Sequence, residues 1–558
     1  MAKSKKQQHI EAQSIPQSVK KPRIRYSVRQ LQEMYDNGNK EPLENLWRAW
    51  MGIKALPPED INSFFNLAGY HGEPFTGGGA YNPKYWGGYC NHGNVLFPTW
   101  HRVYCLKVEE ALRTIVPDVT LPYWDETSED SLKMGIPKAL TQQTVLLPKR
   151  EDDPEGTTYI TVDGKEYRRV DNPLISFTLP EKIDDLKNDP VQPYAYTKHA
   201  GYTTVRYPLS GLVGTEEARI KTLIHNDKYS YYPDNVTLLD KNIVAWLNAG
   251  ATRPPHDHSP PRPGSIHSKF VNCLQAPTYT LFSNTVSASA YNAKHPEAPV
   301  TPLESPHNDI HLAVGGYDFP GFRVGQVAGS NGDMGENNTA SFDPIFFFHH
   351  CNVDRMFWLW QEQTGHTDDF DIDTDDPGAR SDTLPNGQGP TPNFVDNAVL
   401  SMDTPLTPFM VSPEKNQRMY TSRDAINIRK QMGYTYSDGS LDKDQLMKLV
   451  KPKARGMAHG KVLRVYGINR ELFAGSFIIN VYANVDGEEI YIGNESILSR
   501  WSVKQCANCL NHLPVEAFFP LDELTAEQIE KAEFEIDIKS RDGGFKHLLD
   551  FSHEIVGG

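Results

Sequence analysis

The chain is 558 residues long, carries a formal net charge of −15 at neutral pH and contains six cysteines. Its acidity argues against nucleic acid or an anionic membrane as partner, and no run of about 18 apolar residues is present to cross a bilayer. So few cysteines exclude a disulfide framework and suit a reducing interior, while the length allows two or more domains with a large core.

The stretch from Met1 to Gln8 is charged and lacks the apolar segment of a secretory signal, which predicts a cytoplasmic protein with a disordered tail over residues 1–24. Residues 27–70 have helical spacing, with Leu31, Met34 and Tyr35 on one face and Phe64, Phe65 and Leu67 leading to His71. A Gly- and Tyr-rich loop precedes Cys90-Asn-His92. Pro98-Thr-Trp-His101 then opens a helix over residues 99–116, on which Val103, Leu106, Ala111 and Ile115 recur at helical spacing. Residues 126–300 are rich in Pro, Asp, Thr and Tyr and predict long loops with short helices, such as 236–249. The Pro-rich stretch 253–263 makes His256 and His258 residues of a solvated loop.

Two His-bearing helices follow. In Glu304-Ser-Pro-His-Asn-Asp-Ile-His-Leu-Ala-Val-Gly-Gly316, Ser305 as N-cap and Pro306 as first helical residue put His307 and His311 four apart on one face. Gly315-Gly316 ends that helix. Two imidazoles at that spacing can share one metal. In Asp343-Pro-Ile-Phe-Phe-Phe-His-His-Cys-Asn-Val-Asp-Arg355, Asp343 caps, Pro344 presets φ, and the run Ile345 to Phe348 demands burial. His349 and His350 are costly there unless something binds them, and one of them would complete a trio with His307 and His311. Residues 366–412 are acidic and polar, hence loops. The stretch 438–458, with Lys448, Lys451, Lys453 and Arg455, reads as a linker open to proteolysis. Beyond it Lys461–Tyr466, Ser476–Ala483 and Glu489–Ile492 alternate as strands, predicting a β domain over 459–558. Cys506 and Cys509 in that domain form a single CxxC, too little for a zinc site; a disulfide, a redox pair and a soft Cu(I) site stay open.

Two sets of His, a Cys two residues before the second His of the first set, and the Asp-Pro-Ile-Phe…His-His…Asp-Arg helix resemble the type-3 copper family. That family comprises tyrosinases, catechol oxidases and the molluscan-type oxygen carriers, and the pattern is most similar to fungal tyrosinases over residues 25–437, with a weaker continuation to the end. Leu121-Pro-Tyr-Trp-Asp125 and Gly433-Tyr-Thr-Tyr436 resemble segments of the same family. The resemblance implies a mainly α fold: a di-copper four-helix-bundle catalytic core with long loops over 25–437, plus a C-terminal β-sandwich-like domain. It assigns His71, His92 and His101 to one copper and His307, His311 and His350 to the other. His350 is preferred over His349 because it stands seven residues past Asp343. It also implies a thioether between Cys90 and His92, and a water held by Glu304 and Asn308 that takes the proton of an incoming phenol. Asn337 stands at the gate position above the second copper. Cys506 and Cys509 would load copper, and Ile497, Leu498 or Trp501 would plug the entrance from the C-terminal domain.

Ligand type leads to the same metal. Neutral imidazoles without carboxylates suit copper or zinc, the Irving–Williams order favours copper, and two separate trios predict a pair of ions. The resemblance implies the rest of the expected function: ortho-hydroxylation of monophenols and oxidation of o-diphenols to o-quinones with O₂, in a latent form shielded by the C-terminal domain, as in melanin biosynthesis. The alternatives are a catechol or o-aminophenol oxidase without hydroxylation, and a non-catalytic dioxygen-binding protein. The expected partners are phenolic small molecules and O₂; a homo-oligomer is left open.

Overall fold

The computed structural model describes residues 21–72, 88–151, 153–184, 197–211, 216–250, 261–324, 332–380, 399–412, 416–449, 460–500, 503, 513–540 and 550–557. His256, His258, Trp501, Cys506 and Cys509 lie outside the described residues.

Four helices position the centre of the molecule: α1 (Glu41–Ala55), α2 (Phe97–Ile115), α3 (Glu304–Val314) and α4 (Ile345–Thr364). Every residue of α4 from Ile345 to Trp358 is buried, because a helix apolar on all sides must be enclosed. α2 packs against both α1 and α4. The Trp50 and Phe348 rings stack 5.6 Å apart, and the Tyr104 and Phe347 rings meet edge to face at 5.2 Å.

The two starts differ by one or two positions from the caps read in the sequence. In α4, Pro344 occupies the N-cap; Asp343 Oδ1 accepts from the Ile345 N–H at 3.1 Å while the same carboxylate takes Arg206 in a fork at 2.7 and 2.8 Å. In α3 the helix already begins at Glu304, so Ser305 sits in its first turn. The Ser305 hydroxyl donates to Glu495 of the C-terminal domain at 3.0 Å instead of capping. A distant carboxylate has taken the donor that local sequence assigned to the helix end.

The ends of the helical region are tied together. Arg23–Arg25, which reaches into the expected N-terminal tail, pairs in parallel with Tyr434–Tyr436. Asp354 on α4 accepts from Arg102 Nε, Tyr434 OH and Tyr436 OH, each at 2.5 Å, and Glu109 on α2 holds Arg25 at 2.7 Å. These charges are buried but paired, the condition under which burial is tolerated. Residues 126–300 hold more strand than their composition suggested: Thr144–Pro148, Ile160–Val162 and Lys165–Asp171 form a three-stranded antiparallel sheet. The expected linker contains a helix, Lys443–Leu449, whose Leu446 packs into the main core; 450–459 lie outside the described residues.

Among the described residues the C-terminal region has six strands: β1 (Val462–Asn469), β2 (Phe477–Val485), β3 (Glu488–Ile497), β4 (Pro514–Pro520), β5 (Glu533–Ser540) and β6 (Ser552–Val556). They form two antiparallel sheets, ordered β4-β1-β6 and β3-β2-β5. Alternate residues, among them Leu463, Val465, Ile479, Val481, Ala517 and Phe519, point inward to a separate apolar core. No helix among the described residues is long and apolar enough to cross a membrane.

Candidate metal centre

α3 presents His307 and His311 one turn apart, and α4 brings His350 to meet them. His350 Nε2 lies 3.3 Å from His307 Nε2 and 3.3 Å from His311 Nε2. With metal–nitrogen bonds of about 2.0 Å, such a spacing subtends about 110°, the tetrahedral angle. All three rings are fully buried. Burial and neighbouring imidazoles hold each of them well below the ordinary His range, so at neutral pH they are uncharged and their lone pairs face one another. A cation between them removes that repulsion. The residues fit a metal.

His71, His92 and His101 form a second trio, with ring centroids 5.1 to 5.5 Å apart. His101 rides α2, and its Nδ1 is held by the Phe97 carbonyl at 2.8 Å, leaving Nε2 with no hydrogen-bond partner. His71 follows the short helix Phe64–Gly69, and neither of its ring nitrogens is hydrogen-bonded. His92 sits on irregular backbone beyond Cys90. Burial again holds His71 and His92 well below the ordinary range, and His101 down to about 3. The two trios face each other: His101 stacks on His350 at 4.5 Å and His92 on His307 at 5.6 Å.

The remaining imidazole of the pair has a different environment. His349 Nδ1 meets Glu126 Oε1 at 2.6 Å, and Glu126 Oε2 accepts from Asn352 Nδ2 at 3.0 Å. All three side chains are buried, and burial pushes the Glu126 carboxyl well above the usual carboxylate range. Sequence reading missed Glu126, although it directly follows the Leu-Pro-Tyr-Trp-Asp segment ending at Asp125. The imidazoles of the trios are oriented from outside in several ways: His311 Nδ1 by the Met334 carbonyl at 2.9 Å, His307 Nδ1 by Asn308 Oδ1 at 3.0 Å. Glu304 accepts on Oε1 from the Gly93 N–H at 2.7 Å and on Oε2 from the Thr285 N–H at 2.9 Å and hydroxyl at 3.1 Å.

The family model for the common central domain of tyrosinase matches residues 61–363, more than half of the chain and all six of these histidines. The chain belongs to the tyrosinase family. Among curated relatives it is 51 % identical to the tyrosinase HcTyr2 of a Hahella species over 93 % of this chain and 92 % of that one. It is 41 % identical to a tyrosinase of Aspergillus oryzae over 88 % and 89 %. Among solved structures, a tyrosinase from Burkholderia thailandensis at low pH superposes with a TM-score of 0.81 at 49 % identity, over 96 % of this chain and all of that one. Tyrosinases are binuclear type-3 copper enzymes that act on phenols with O₂, and two copper ions are the cofactor of this chain.

In this tyrosinase the C-terminal domain is docked against both trios. Asn494 Nδ2 donates to Asp309 Oδ1 at 2.7 Å, between the two α3 histidines, and Lys269 Nζ bonds both Asp309 Oδ2 and the Asn494 carbonyl at 2.7 Å. Tyr317 OH donates to the Ser476 carbonyl at 2.5 Å. Of the plug candidates, Ile497 belongs to the core of the C-terminal domain, whereas Leu498 packs into the core of the helical region. Asn337 lies on the side of the first trio. Its Nδ2 is 3.8 Å from Cys90 Sγ, and its N–H reaches the Ser499 carbonyl at 3.3 Å. Cys90 Sγ in turn lies within 4.8 Å of a nitrogen of His71 and of His92.

Proposed function

We propose that this chain ortho-hydroxylates monophenols and oxidises the resulting o-diphenols to o-quinones, and that its C-terminal domain keeps it latent. His71, His92 and His101 hold one copper and His307, His311 and His350 the other. The observation that carries this reading is the pair of facing, neutral imidazole trios, buried except for the half-buried His92, beside the segment Leu498–Arg500. Two bound copper ions supply the activation of O₂ and accept the electrons of the diphenol.

The residues around them bind and orient. Phe346 stacks on His350 at 4.0 Å and fixes its plane, while Asn308 and Met334 set the two α3 rings. A phenol with a pKa near 10 needs a base before it can bind as phenolate. Glu304 suits that task, because burial raises its carboxyl toward proton-accepting strength; with Asn308 it holds the water that takes the proton. Thioether formation between Cys90 and His92 removes the thiol hydrogen and one ring hydrogen, two protons and two electrons that O₂ would accept in becoming hydrogen peroxide, and leaves the chain two hydrogens lighter by mass. Cleavage between residues 438 and 458 frees the C-terminal domain, Leu498 withdraws from the helical core, and Cys506 and Cys509 deliver copper before that step.

A second reading, oxidation of o-diphenols or o-aminophenols without hydroxylation, draws on one observation. Both Glu304 oxygens already accept from Gly93 and Thr285, which leaves fewer lone pairs for a water. Oxygen uptake by copper-loaded protein, before and after light proteolysis, separates the two. Uptake with a monophenol that rises after the cut supports hydroxylation and latency together. Uptake with a catechol alone favours the second reading and removes the base role from Glu304 and Asn308.

A further inference from the structure

The first trio lacks the helical support of the second. His101 rides a 19-residue helix, but His71 and His92 sit on two segments separated by residues 73–87, which are outside the described residues. Those segments are joined by backbone hydrogen bonds, the Tyr89 N–H donating to the Tyr70 carbonyl at 2.8 Å and the Cys90 N–H to the His71 carbonyl at 3.2 Å, and by the Tyr70 and Tyr89 rings, edge to face at 6.0 Å. At Gly72 and Gly88 there is no room for a side chain. A Cβ on Gly88 would stand 1.9 Å from the His71 carbonyl oxygen, and one on Gly72 would stand 2.0 Å from that of Asn337.

Arg500 enters this junction from the C-terminal domain, just beyond β3. It is only 4 % exposed, and its own carbonyl is anchored by the Gly475 N–H at 3.2 Å. One terminal nitrogen donates to the Gly72 carbonyl; the other lies 3.8 Å from Cys90 Sγ. Gly72 adjoins His71, and Cys90 is two residues from His92, so the guanidinium spans both ligand-bearing segments. Among the described residues no carboxylate pairs with Arg500, and its Nε has no acceptor. A buried cation that finds no counter-ion among the described residues is costly, which argues for a role beyond packing.

We propose that Arg500 is a positioning residue of the first metal half-site. Its planar fork clasps the segments that carry His71 and His92, so the C-terminal domain completes the ligand set for metal uptake as well as covering it. Lys cannot replace this clasp, because an ammonium is a point donor without the fork. The inference rests on the assignment of His71, His92 and His101 to one copper.

The test is a titration of metal-free, full-length protein with Cu(I) against a chromophoric Cu(I) chelator. All variants carry Cys506→Ser and Cys509→Ser, which remove the proposed delivery site, and the chain otherwise unaltered is expected to take two ions. Arg500→Met is expected to keep one affinity unchanged and lose about ten-fold or more in the other, the range seen when a group orienting a ligand is removed. After oxidation it should give the electron paramagnetic resonance signal of isolated Cu(II), which a coupled pair does not give. Arg500→Lys should fall between the two and carries the test if Arg500→Met does not fold. Adding Arg500→Met to His71→Ala should cost no further affinity, since the site it serves is already lost. Two unchanged affinities in Arg500→Met, or an equal loss at both sites, would overturn the proposal. Failure of the otherwise unaltered chain to bind two ions would instead overturn the ligand assignment, and this inference with it.

Discussion

The two half-sites are built from the same ligand but on different scaffolds. His307, His311 and His350 stand on α3 and α4, two helices buried along the site, and the Nε2 atoms of His307 and His311 each lie 3.3 Å from that of His350. The trio of His71, His92 and His101 has one helical member, and its other two members depend on glycine-tight backbone contacts and on Arg500 from another domain. A helix fixes side-chain direction through its own hydrogen bonds, whereas an irregular segment takes its direction from whatever packs against it. One half-site is preorganised by secondary structure and the other by tertiary contact.

The largest effect should come from breaking the helical half-site. His350→Ala removes the nitrogen on which the other two converge, so the protein should bind one copper per chain. Oxygen uptake should fall by at least about 10³-fold, since a metal ion contributes several kcal/mol to such a reaction. His349→Ala, one residue away, should retain two ions by elemental analysis; equal metal loss in both variants would reverse the choice between them.

The next test strikes the irregular half-site. Gly72→Ala would press a methyl group onto the Asn337 carbonyl, and backbone cannot step aside as a flexible side chain does. The expected cost is about 1–3 kcal/mol in denaturant unfolding, with metal lost from the first trio before the second. If both ions leave together, the contrast between the scaffolds fails.

Asn494→Leu sharpens the comparison from the side of the C-terminal domain. It leaves Asp309 Oδ1 without the donor that docks the domain on α3, at a cost of about 1–3 kcal/mol. Because α3 holds its own geometry, copper content should stay at two while the linker is cut several-fold faster. Loss of copper would mean that the helical half-site also leans on the domain.

Acid should separate metal-free from metal-loaded protein. The buried imidazoles have folded values far below the ordinary 6.5, about 3 for His101 and His349, so below pH 6.5 the unfolded chain binds more protons than the folded one. Stability is fully present above about 6.5 and declines as pH falls toward those folded values. The denaturant midpoint of the metal-free chain should therefore drop between pH 7 and pH 5, and by less when copper occupies the lone pairs. The smallest effect is expected for Glu126→Gln. A carboxyl that burial keeps neutral and an amide can make the same contacts to His349 and Asn352, so stability should change by less than about 1 kcal/mol. A larger loss would mean that Glu126 is charged.

Much of the centre was legible in the chain because it is written in local patterns. The spacing of His307 and His311, the Pro-led helix starts, and the apolar run before His350 are short-range signals. The structure moved them by one or two residues, and at α3 the remote Glu495 took the expected capping hydroxyl. What escaped has its cause at long range. Glu126 meets His349 across 223 positions, Asn494 meets Asp309 across 185, and Arg500 meets Gly72 across 428. No periodicity or motif encodes such pairings, and each partner by itself is an ordinary charged or polar residue.

The sequence by itself determined the ligand type, the helices that carry four of the six imidazoles, and a separate C-terminal β domain, because periodicity and caps act within a few residues. Only the tertiary structure decided which atoms face one another: that His350 Nε2 closes the second trio while His349 turns to Glu126, that Leu498 rather than Ile497 enters the helical core, and that a cation from the far end of the chain holds the loops of the first trio. Burial is the physical reason. A polar group taken out of water must find its partner wherever the fold brings one, and that place is set by the packing of the whole chain.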